Sequence, residues 1–168
     1  DIVVTKEADN TSDLTILHQL ISNINNGDDI ALASCYAREG GVVGTTLFRL
    51  ILSRGANILL KLFIPVKNIH TFSSFYRAYS SKALRQMYAI YGDNLIRGDG
   101  FECMVELLIK FSRNGNFKIS EVPMVLDGSK RIGKSKMRIL RTIKGFLIVV
   151  LREELIYKMR QIFKKNGR

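Results

Sequence analysis

The sequence predicts an α/β fold, because a short β-branched run, an amphipathic stretch and a second apolar run follow one another at its start. Residues 1–5 read Asp-Ile-Val-Val-Thr, residues 12–26 place leucine and isoleucine at helical spacing, and residues 30–36 are again mostly apolar. A strand, a helix and a strand in this order are typical of a parallel α/β unit. With 168 residues, of which 46% are hydrophobic, the chain can bury the core of one domain.

Later segments continue the alternation of helices and strands. We predict helices over residues 42–63, 81–91 and 101–114, and strands within 65–79 and 117–126. The first of these helices should be interrupted at residues 53–55, and Ser80 or Ser81 should cap the second. Pro123 places the last strand at a sheet edge or bulge. Glu106 lies on an apolar helix face and needs a partner, either a helix end or an arginine.

Two acids directly after the first strand are candidate metal ligands. In an extended chain, the side chains of Glu7 and Asp9 point the same way. The carboxyl end of a strand is where α/β sheets bind ligands, and carboxylates suit Mg²⁺ or Mn²⁺ bridging to phosphates. The alternative is that Asn10, Thr11 or Ser12 caps the following helix, with the acids favouring its positive end.

Two further segments carry groups that can bind phosphate. Arg49 and Ser53 are four residues apart and share one face of an apolar helix, where the arginine is either a ligand or a snorkelling surface residue. Residues 127–136 combine glycine, serine and cations that can donate hydrogen bonds to phosphate. Their spacing does not match a nucleotide-binding Gly-x-x-x-x-Gly-Lys-Ser/Thr loop, which argues against an ordinary ATPase.

The positive charge is confined to the last quarter of the chain. Residues 1–128 carry 13 Lys/Arg and 13 Asp/Glu, whereas residues 129–168 carry 13 Lys/Arg and two acids, which accounts for the net charge of +11. Residues 137–168 should form one or two basic amphipathic helices, which lie on an anionic membrane surface, pack on a partner or cover the domain core. Because their apolar stripes lack interleaved aromatics, we expect no nucleic-acid partner.

The start of the chain and its cysteines indicate a cytosol-facing protein. Cys35 and Cys103 are far apart and lack metal-ligand spacing, which favours reduced thiols. The first residues do not read as a signal peptide, and the apolar run at residues 145–151 is too short to span a bilayer. We therefore expect peripheral attachment to the cytoplasmic face of a membrane.

Seven motifs occur in an order that resembles family 2 glycosyltransferases of the dolichyl-phosphate mannosyltransferase or polyprenyl-phosphate sugar transferase type. The family motifs are Asp-Ala-Asp, Gly-Ser-Arg-Tyr, Arg-x-x-x-Ser-x-Gly-Ala-Asn, Ser-Gly-Phe-Arg-Ala-Tyr, Gly-Phe…Glu, Glu-Val-Pro and Arg-x-x-Gly-x-Ser-Lys. Their counterparts here are residues 7–9, 33–36, 49–57, 74–79, 100–106, 121–123 and 131–136. The resemblance covers about residues 1–137, and the order of the motifs is more specific than any one of them.

The resemblance implies a partial GT-A (Rossmann-like) nucleotide-diphospho-sugar transferase fold, with a mixed sheet flanked by helices and basic amphipathic helices at its end. It implies that Glu7 and Asp9 bind Mg²⁺ or Mn²⁺ on the donor diphosphate. Arg49 and Ser53 would bind the acceptor phosphate, with Asp9 as a catalytic group beside them. The remaining phosphate-binding residues would be Arg38, Arg77, Arg131, Ser135 and Lys136, with Arg38 replacing the family arginine that is Cys35 here.

The reaction implied by the resemblance is transfer of a hexose, mannose or glucose, from a GDP- or UDP-linked donor to a polyprenyl or dolichyl phosphate with inversion. The acceptor phosphate is already anionic and needs no general base, which agrees with the lack of a convincing His–acid pair in the sequence. Catalysis would reduce to positioning two anionic groups and neutralising the leaving diphosphate.

Residues 1–136 correspond to the carboxyl-terminal part of the catalytic domain, and residues 137–168 to a membrane-surface tail. Because the family's opening half has no counterpart before Asp1, we expect a missing N-terminal half, weak donor binding and an exposed sheet edge. The alternative is a catalytically incomplete fragment that acts only as a membrane-surface or protein-interaction module.

Overall fold

The computed structural model describes residues 1–64, 66–114, 116–133 and 139–166. The strands are β1 (Ile2–Thr5), β2 (Ile30–Ser34), β3 (Gly41–Val43), β4 (Arg77–Ser80), β5 (Ile119–Pro123) and β6 (Val125–Asp127). The helices are α1 (Leu17–Asn25), α2 (Leu47–Phe63), α3 (Ser81–Tyr91), α4 (Glu102–Arg113) and α5 (Ile139–Asn166), with short 3₁₀ turns at Gly92–Leu95 and Gly128–Lys130. The predicted α/β architecture, a mixed sheet flanked by helices, is confirmed.

The main sheet has the strand order β1-β4-β2-β5. Strand β4 is antiparallel to both of its neighbours, whereas β2 and β5 are parallel. Strands β1 and β2 therefore run in the same direction, but β4 lies between them. The predicted strand–helix–strand unit with parallel strands is therefore present. The strand between them comes from a segment about 75 residues later than β1, which local patterns cannot reveal.

The sheet separates two hydrophobic layers. Along β2, Ala31 and Ala33 face α1, whose Leu20 and Ile24 are buried. Ile30 and Leu32 face the opposite layer, which is formed mainly by α3, α4 and α5. Every residue of β2 is buried, so this strand forms the centre of the core.

Several element boundaries differ from the sequence predictions. Helix α1 begins at Leu17 without a side-chain cap, so Asn10, Thr11 and Ser12 do not cap it. Helix α2 is continuous through residues 53–55 and begins at Leu47, because residues 41–43 form β3 and pair with β6. Ser80 caps α3 as predicted, through a hydrogen bond that its hydroxyl accepts from the Ala83 amide.

The segment around Pro123 also follows the prediction. Strand β5, which ends at Pro123, is an outer strand of the main sheet. The predicted single strand then divides, and β6 leaves the main sheet to pair with β3.

Helix α5 packs against α4 and contributes to the main core. Phe146, Val149 and Val150 are buried with residues of α3 and α4, so the first half of α5 is packed against the α/β layers. The predicted domain boundary, between residues 136 and 137, lies outside the described residues. Among the residues that the structure describes, no helix is both long and apolar enough to cross a membrane.

A buried charged cluster attaches α5 to α4. Glu106 is fully buried and is paired with Lys110 of the same helix and with Arg152 of α5, 2.7 Å away. Its second carboxylate oxygen accepts hydrogen bonds from the amides of Arg97 and Gly98. The predicted arginine partner of Glu106 is therefore present, and the hydrogen bonds from Lys110 and from these two amides hold the pKa of Glu106 below its ordinary value although burial raises it.

Candidate functional site

One edge of the main sheet brings the motif segments together. The carboxyl ends of β1, β2 and β5 lie at this edge with the amino end of β4, because Thr5 and Leu32 both align with Arg77, and Ser34 aligns with Pro123. The loops after β1 and β2 therefore begin at this edge, and the loop before β4 ends there. This is the edge at which an α/β sheet presents loops to a ligand.

The acid motif lies in a loop rather than in a strand. Strand β1 ends at Thr5, and Asn10 adopts a φ of 61°, so Glu7 and Asp9 do not share an extended conformation. The expectation that the two side chains point the same way because the chain is extended is therefore wrong. Glu7 accepts a hydrogen bond from the amide of Phe75 (3.1 Å), and Asp9 accepts from the amide and hydroxyl of Thr11 (3.2 and 2.7 Å). Each carboxylate is thus oriented by the protein.

Arg131 contacts Asp9 directly. Its Nη2 and Nε atoms lie 2.6 and 3.2 Å from Oδ2 of Asp9, across 122 residues of sequence. Burial alone raises the pKa of Asp9, but the hydrogen bonds from Thr11 and Arg131 outweigh it and lower the pKa below the ordinary value. Asp9 is therefore ionised at neutral pH. Ser135 and Lys136, the other basic-segment residues predicted to bind phosphate, lie outside the described residues.

A shallow cleft of about 550 Å³ adjoins this ion pair. Its polar lining includes Lys6, Glu7, Asn10, Ser12, Asp13 and Lys130. Sequence reasoning missed Lys6 and Lys130, although each directly precedes a motif residue, and that adjacency was the available signal. A cleft with two lysines and two carboxylates fits a ligand that carries both phosphate and a bound cation.

Helix α2 reaches the same region through a side-chain hydrogen bond. The hydroxyl of Tyr36, which follows β2, donates to the hydroxyl of Ser53 (2.9 Å). Arg49 lies one turn earlier and is partly exposed, and among the described residues neither it nor the exposed Arg38 has a side-chain hydrogen bond or ion pair. The guanidinium groups of Arg49 and Arg38 are thus available for an anion.

The loop before β4 is fixed by residues of two predicted motifs. Asn57 of α2 accepts from the amide of Phe72 (2.9 Å), and Glu121 accepts from the amides of His70 and Thr71 (2.7 and 2.8 Å). His70 also contacts the second oxygen of Glu121 through Nδ1 (2.8 Å), which gives this histidine a loop-anchoring position. These motif residues therefore position the wall of the site.

Arg77 differs from the expectation that it binds phosphate. Its side chain is completely buried and donates to the backbone carbonyls of Ser74, Phe72 and Met104 (2.7, 2.8 and 2.9 Å). The sequence could not reveal this, because the three carbonyls come together only in the folded chain. We therefore leave Arg77 out of the phosphate-binding set and assign it to the support of the loop.

The donor set at Asp9 and Glu7 fits a hard divalent ion that is shared with a substrate. No group of three or more His, Cys, Asp or Glu side chains suited to a metal occurs among the described residues, and the candidate donors here are the carboxylates of Glu7 and Asp9. Mg²⁺ is commonly bound by one or two carboxylates together with substrate phosphates. Burial raises the pKa of the nearby Cys35 thiol to about 11.

Comparison with known proteins finds similarity to two curated enzymes. No protein-family model matches the chain. It is 27% identical over 139 residues, 82% of its length, to the dolichol-phosphate mannosyltransferase of Pyrococcus furiosus. It is 28% identical over 136 residues, 81% of its length, to the polyprenol monophosphomannose synthase of Mycolicibacterium smegmatis. The chain is similar to polyprenyl-phosphate mannosyltransferases.

The resemblance inferred from the ordered motifs is thereby confirmed as a similarity to glycosyltransferases. The matched region covers 36% of the first relative and 49% of the second, so the chain spans at most about half the length of these curated relatives. Its mixed α/β sheet is consistent with part of a GT-A-like fold.

Proposed function

We propose that this chain forms the phosphate-binding part of a glycosyltransferase that moves a hexose from a nucleotide diphosphate sugar to a polyprenyl or dolichyl phosphate. The observation that carries the proposal is the pair of side-chain contacts at one sheet edge, Asp9 with Arg131 and Tyr36 with Ser53. The first contact joins the acid motif to the basic segment, and the second joins the residue after β2 to the Arg–Ser helix face. The similarity to two enzymes named for mannose transfer favours mannose over glucose.

Two groups of residues would bind the two anionic substrates. Arg49 and Ser53, one helical turn apart on α2, would bind the acceptor phosphate, with Arg38 nearby in sequence after β2. Lys6, Lys130 and Arg131 would bind the diphosphate of a GDP- or UDP-linked donor. Glu7 and Asp9 would hold Mg²⁺ or Mn²⁺, which when bound neutralises charge on the leaving diphosphate.

The chemistry required of the protein is mainly positioning. An acceptor phosphate is anionic at neutral pH, so no side chain has to remove a proton from it. Cations on α2 would hold the nucleophilic oxygen in line with the anomeric carbon, and cations at the Asp9 side would stabilise charge on the departing diphosphate. A direct in-line displacement inverts the anomeric configuration.

Two exposed apolar helix faces support a peripheral membrane location on the cytoplasmic side. Helix α2 exposes Leu47, Phe48, Ile51, Ile58 and Leu62, and helix α5, which contacts it, exposes Leu147, Ile148, Leu151, Leu155, Met159 and Ile162. Exposed cations accompany them, namely Arg54, Lys61, Arg141, Lys144 and Lys158. Apolar faces bordered by cations are typical of helices that lie on anionic lipid.

The transfer reaction can be tested with the full chain, GDP-mannose or UDP-glucose, Mn²⁺ and a short polyprenyl phosphate. We expect Asp9→Ala and Arg49→Ala each to lower transfer by about 100-fold, because each removes a charge aimed at a reacting group. Asp93→Ala and Arg85→Ala, exposed residues of the Gly92–Leu95 turn and α3, are the matched controls. Unchanged transfer in both Asp9→Ala and Arg49→Ala would refute the proposal.

Membrane attachment can be tested separately by co-sedimentation with phosphatidylcholine vesicles that contain or lack phosphatidylserine. We expect binding to the anionic vesicles and at least about fivefold weaker binding for Leu47→Glu/Ile51→Glu. Ile90→Glu, which places one such charge on an exposed apolar position of α3, is the control. Equal sedimentation of the double variant and the control would show that α2 does not contact lipid.

The second candidate function is a membrane-surface or protein-interaction module without catalysis. The exposed helix faces and the position of β1 as an outer strand favour it. Titration of GDP with Mn²⁺ into the chain separates the candidates. Vesicle binding without nucleotide binding would support the module, and metal-dependent nucleotide binding would support the glycosyltransferase.

A further inference from the structure

The Tyr36–Ser53 hydrogen bond determines which way the serine hydroxyl can donate. The Tyr36 hydroxyl is the donor and Oγ of Ser53 is the acceptor, at 2.9 Å. Burial raises the pKa of Tyr36 above its ordinary value, so the phenol keeps its proton at neutral pH. A serine hydroxyl has one proton and two lone pairs. With one lone pair engaged, its proton is directed away from Tyr36.

In the described part of the chain, no protein group accepts a hydrogen bond from the Ser53 hydroxyl. Among the described residues, Ser53 Oγ makes no hydrogen bond as a donor, and its side chain is exposed. A hydroxyl that accepts from one donor is also polarised and becomes a better donor to a third group. Ser53 is therefore prepared to donate to an acceptor that comes from outside the protein.

The backbone around Ser53 is fixed independently of Tyr36. The carbonyl of Ser53 accepts from the side-chain amide of Asn57 (3.0 Å), whose oxygen in turn accepts from the Phe72 amide. Asn57 is buried, so this link holds the helix turn against the loop before β4. Removing the Tyr36 hydroxyl should therefore change the direction of the Ser53 hydroxyl and leave the position of its Cα in place.

From this geometry we infer that Tyr36 is a positioning residue that orients the Ser53 hydroxyl toward the phosphate of the lipid acceptor. This role rests on the proposed function, in which Ser53 binds that phosphate. Tyr36 itself touches no substrate atom in this assignment. Its effect is on the affinity for a phosphate and not on the affinity for the apolar chain attached to it.

The test uses the full chain and two lipids that differ only in the phosphate, geranylgeranyl phosphate and geranylgeraniol, with binding measured by calorimetry in detergent micelles. We expect Tyr36→Phe to weaken phosphate binding by about three- to tenfold, as for loss of one oriented hydrogen bond to an anion. Geranylgeraniol binding should be unchanged. Tyr36→Phe/Ser53→Ala should be no weaker than Ser53→Ala, because both substitutions remove the same interaction.

The control is Tyr88→Phe, which removes an exposed tyrosine hydroxyl of α3 that donates to Asp93. Equal phosphate affinity of Tyr36→Phe and wild type would overturn the positioning role alone. Equal loss of affinity for both lipids would assign Tyr36 to packing and also overturn it. A wild-type chain that binds the alcohol as tightly as the phosphate would instead overturn the proposed function.

Discussion

Arg131 and Asp9 form an ion pair in which the guanidinium donates to the carboxylate oxygen Oδ2, while Thr11 donates to the other oxygen, Oδ1. The pair joins the loop after β1 to the segment after β6, and it borders the cleft lined by Lys6 and Lys130. A cation is therefore already bound where the acid motif would hold a metal. Binding of Mg²⁺ or Mn²⁺ to Oδ2 would have to displace Arg131, which could then contact the donor diphosphate.

We predict that Arg131→Ala strengthens binding of Mn²⁺ alone and weakens binding of GDP in the presence of Mn²⁺. The first effect follows because the competing cation is removed, and the second because a phosphate ligand is lost. Arg85→Ala, which removes an exposed cation of α3, is the control for charge. Electron paramagnetic resonance of free Mn²⁺ and calorimetry with GDP measure the two affinities. Weaker Mn²⁺ binding in Arg131→Ala would contradict this account.

The lowered pKa of Asp9 predicts a defined pH dependence of stability. A carboxyl group whose folded pKa lies below its unfolded value stabilises the fold above the unfolded pKa, and the contribution disappears as the pH falls through the folded pKa. The ordinary value for Asp9 is 3.8 and the folded value is lower. The difference in unfolding free energy between wild type and Asp9→Asn should therefore be constant near neutral pH and shrink below 3.8.

Urea denaturation across about pH 2.5 to 7 measures this difference directly. The same comparison in an Arg131→Ala background is the control, because Arg131 is one of the groups that lower the pKa. We expect a smaller pH dependence there. A difference that grows as the pH falls would have the wrong sign.

We predict that Glu106→Gln destabilises the protein by about 3 kcal/mol, because it leaves Lys110 and Arg152 with Glu153 as their one remaining acid in this cluster. Lys110 is 2% exposed and is paired with Glu106 of α4 and Glu153 of α5. Arg152, which lies in α5, is paired with the same two acids. Glu102→Gln, at the start of the same helix, is the matched control. Urea denaturation gives the free energy of unfolding, and equal values for the two variants would disprove the role of the cluster.

We predict that Gly44→Ala destabilises more than Gly27→Ala. Both glycines have positive φ, 63° and 96°, so each substitution carries a strain of about 1–2 kcal/mol. A Cβ at Gly27 meets open space, whereas at Gly44 it would overlap the amide nitrogen of Ser129. Only Gly44→Ala should therefore displace the Gly128–Lys130 turn that leads to Arg131. Equal free energies of unfolding would show that this close approach is unimportant.

Local sequence patterns were sufficient for much of the secondary structure. The helical spacing of apolar residues predicted α3 and α4 to within one residue of their observed ends and the end of α1, which begins five residues later than predicted. Ser80 and Pro123 have the local roles expected of them. These features depend on neighbours within a few positions, which a linear reading contains. The start of α2 was missed because residues 41–43 pair with a strand more than 80 residues later.

The candidate site was predicted in its segments and only partly in its side-chain roles. The motif order located the loops after β1 and β2 and the helix that carries Arg49 and Ser53. The motif order did not indicate which side chains face the cleft and which hold the loops in place, as Asn57 and Arg77 do. Both kinds of residue are polar and occur within motifs, so residue type alone does not distinguish them.

The sequence by itself determined the alternation of helices and strands, the confinement of positive charge to residues 129–168 and the ordered motifs. The tertiary structure decided that β4 lies between β1 and β2, that Arg131 contacts Asp9, and that Arg77 is enclosed by backbone carbonyls. The physical reason is the sequence separation of the interacting residues, because helix periodicity and caps are set by neighbours a few residues away. Strand order and burial of a charge depend on groups brought together from distant parts of the chain.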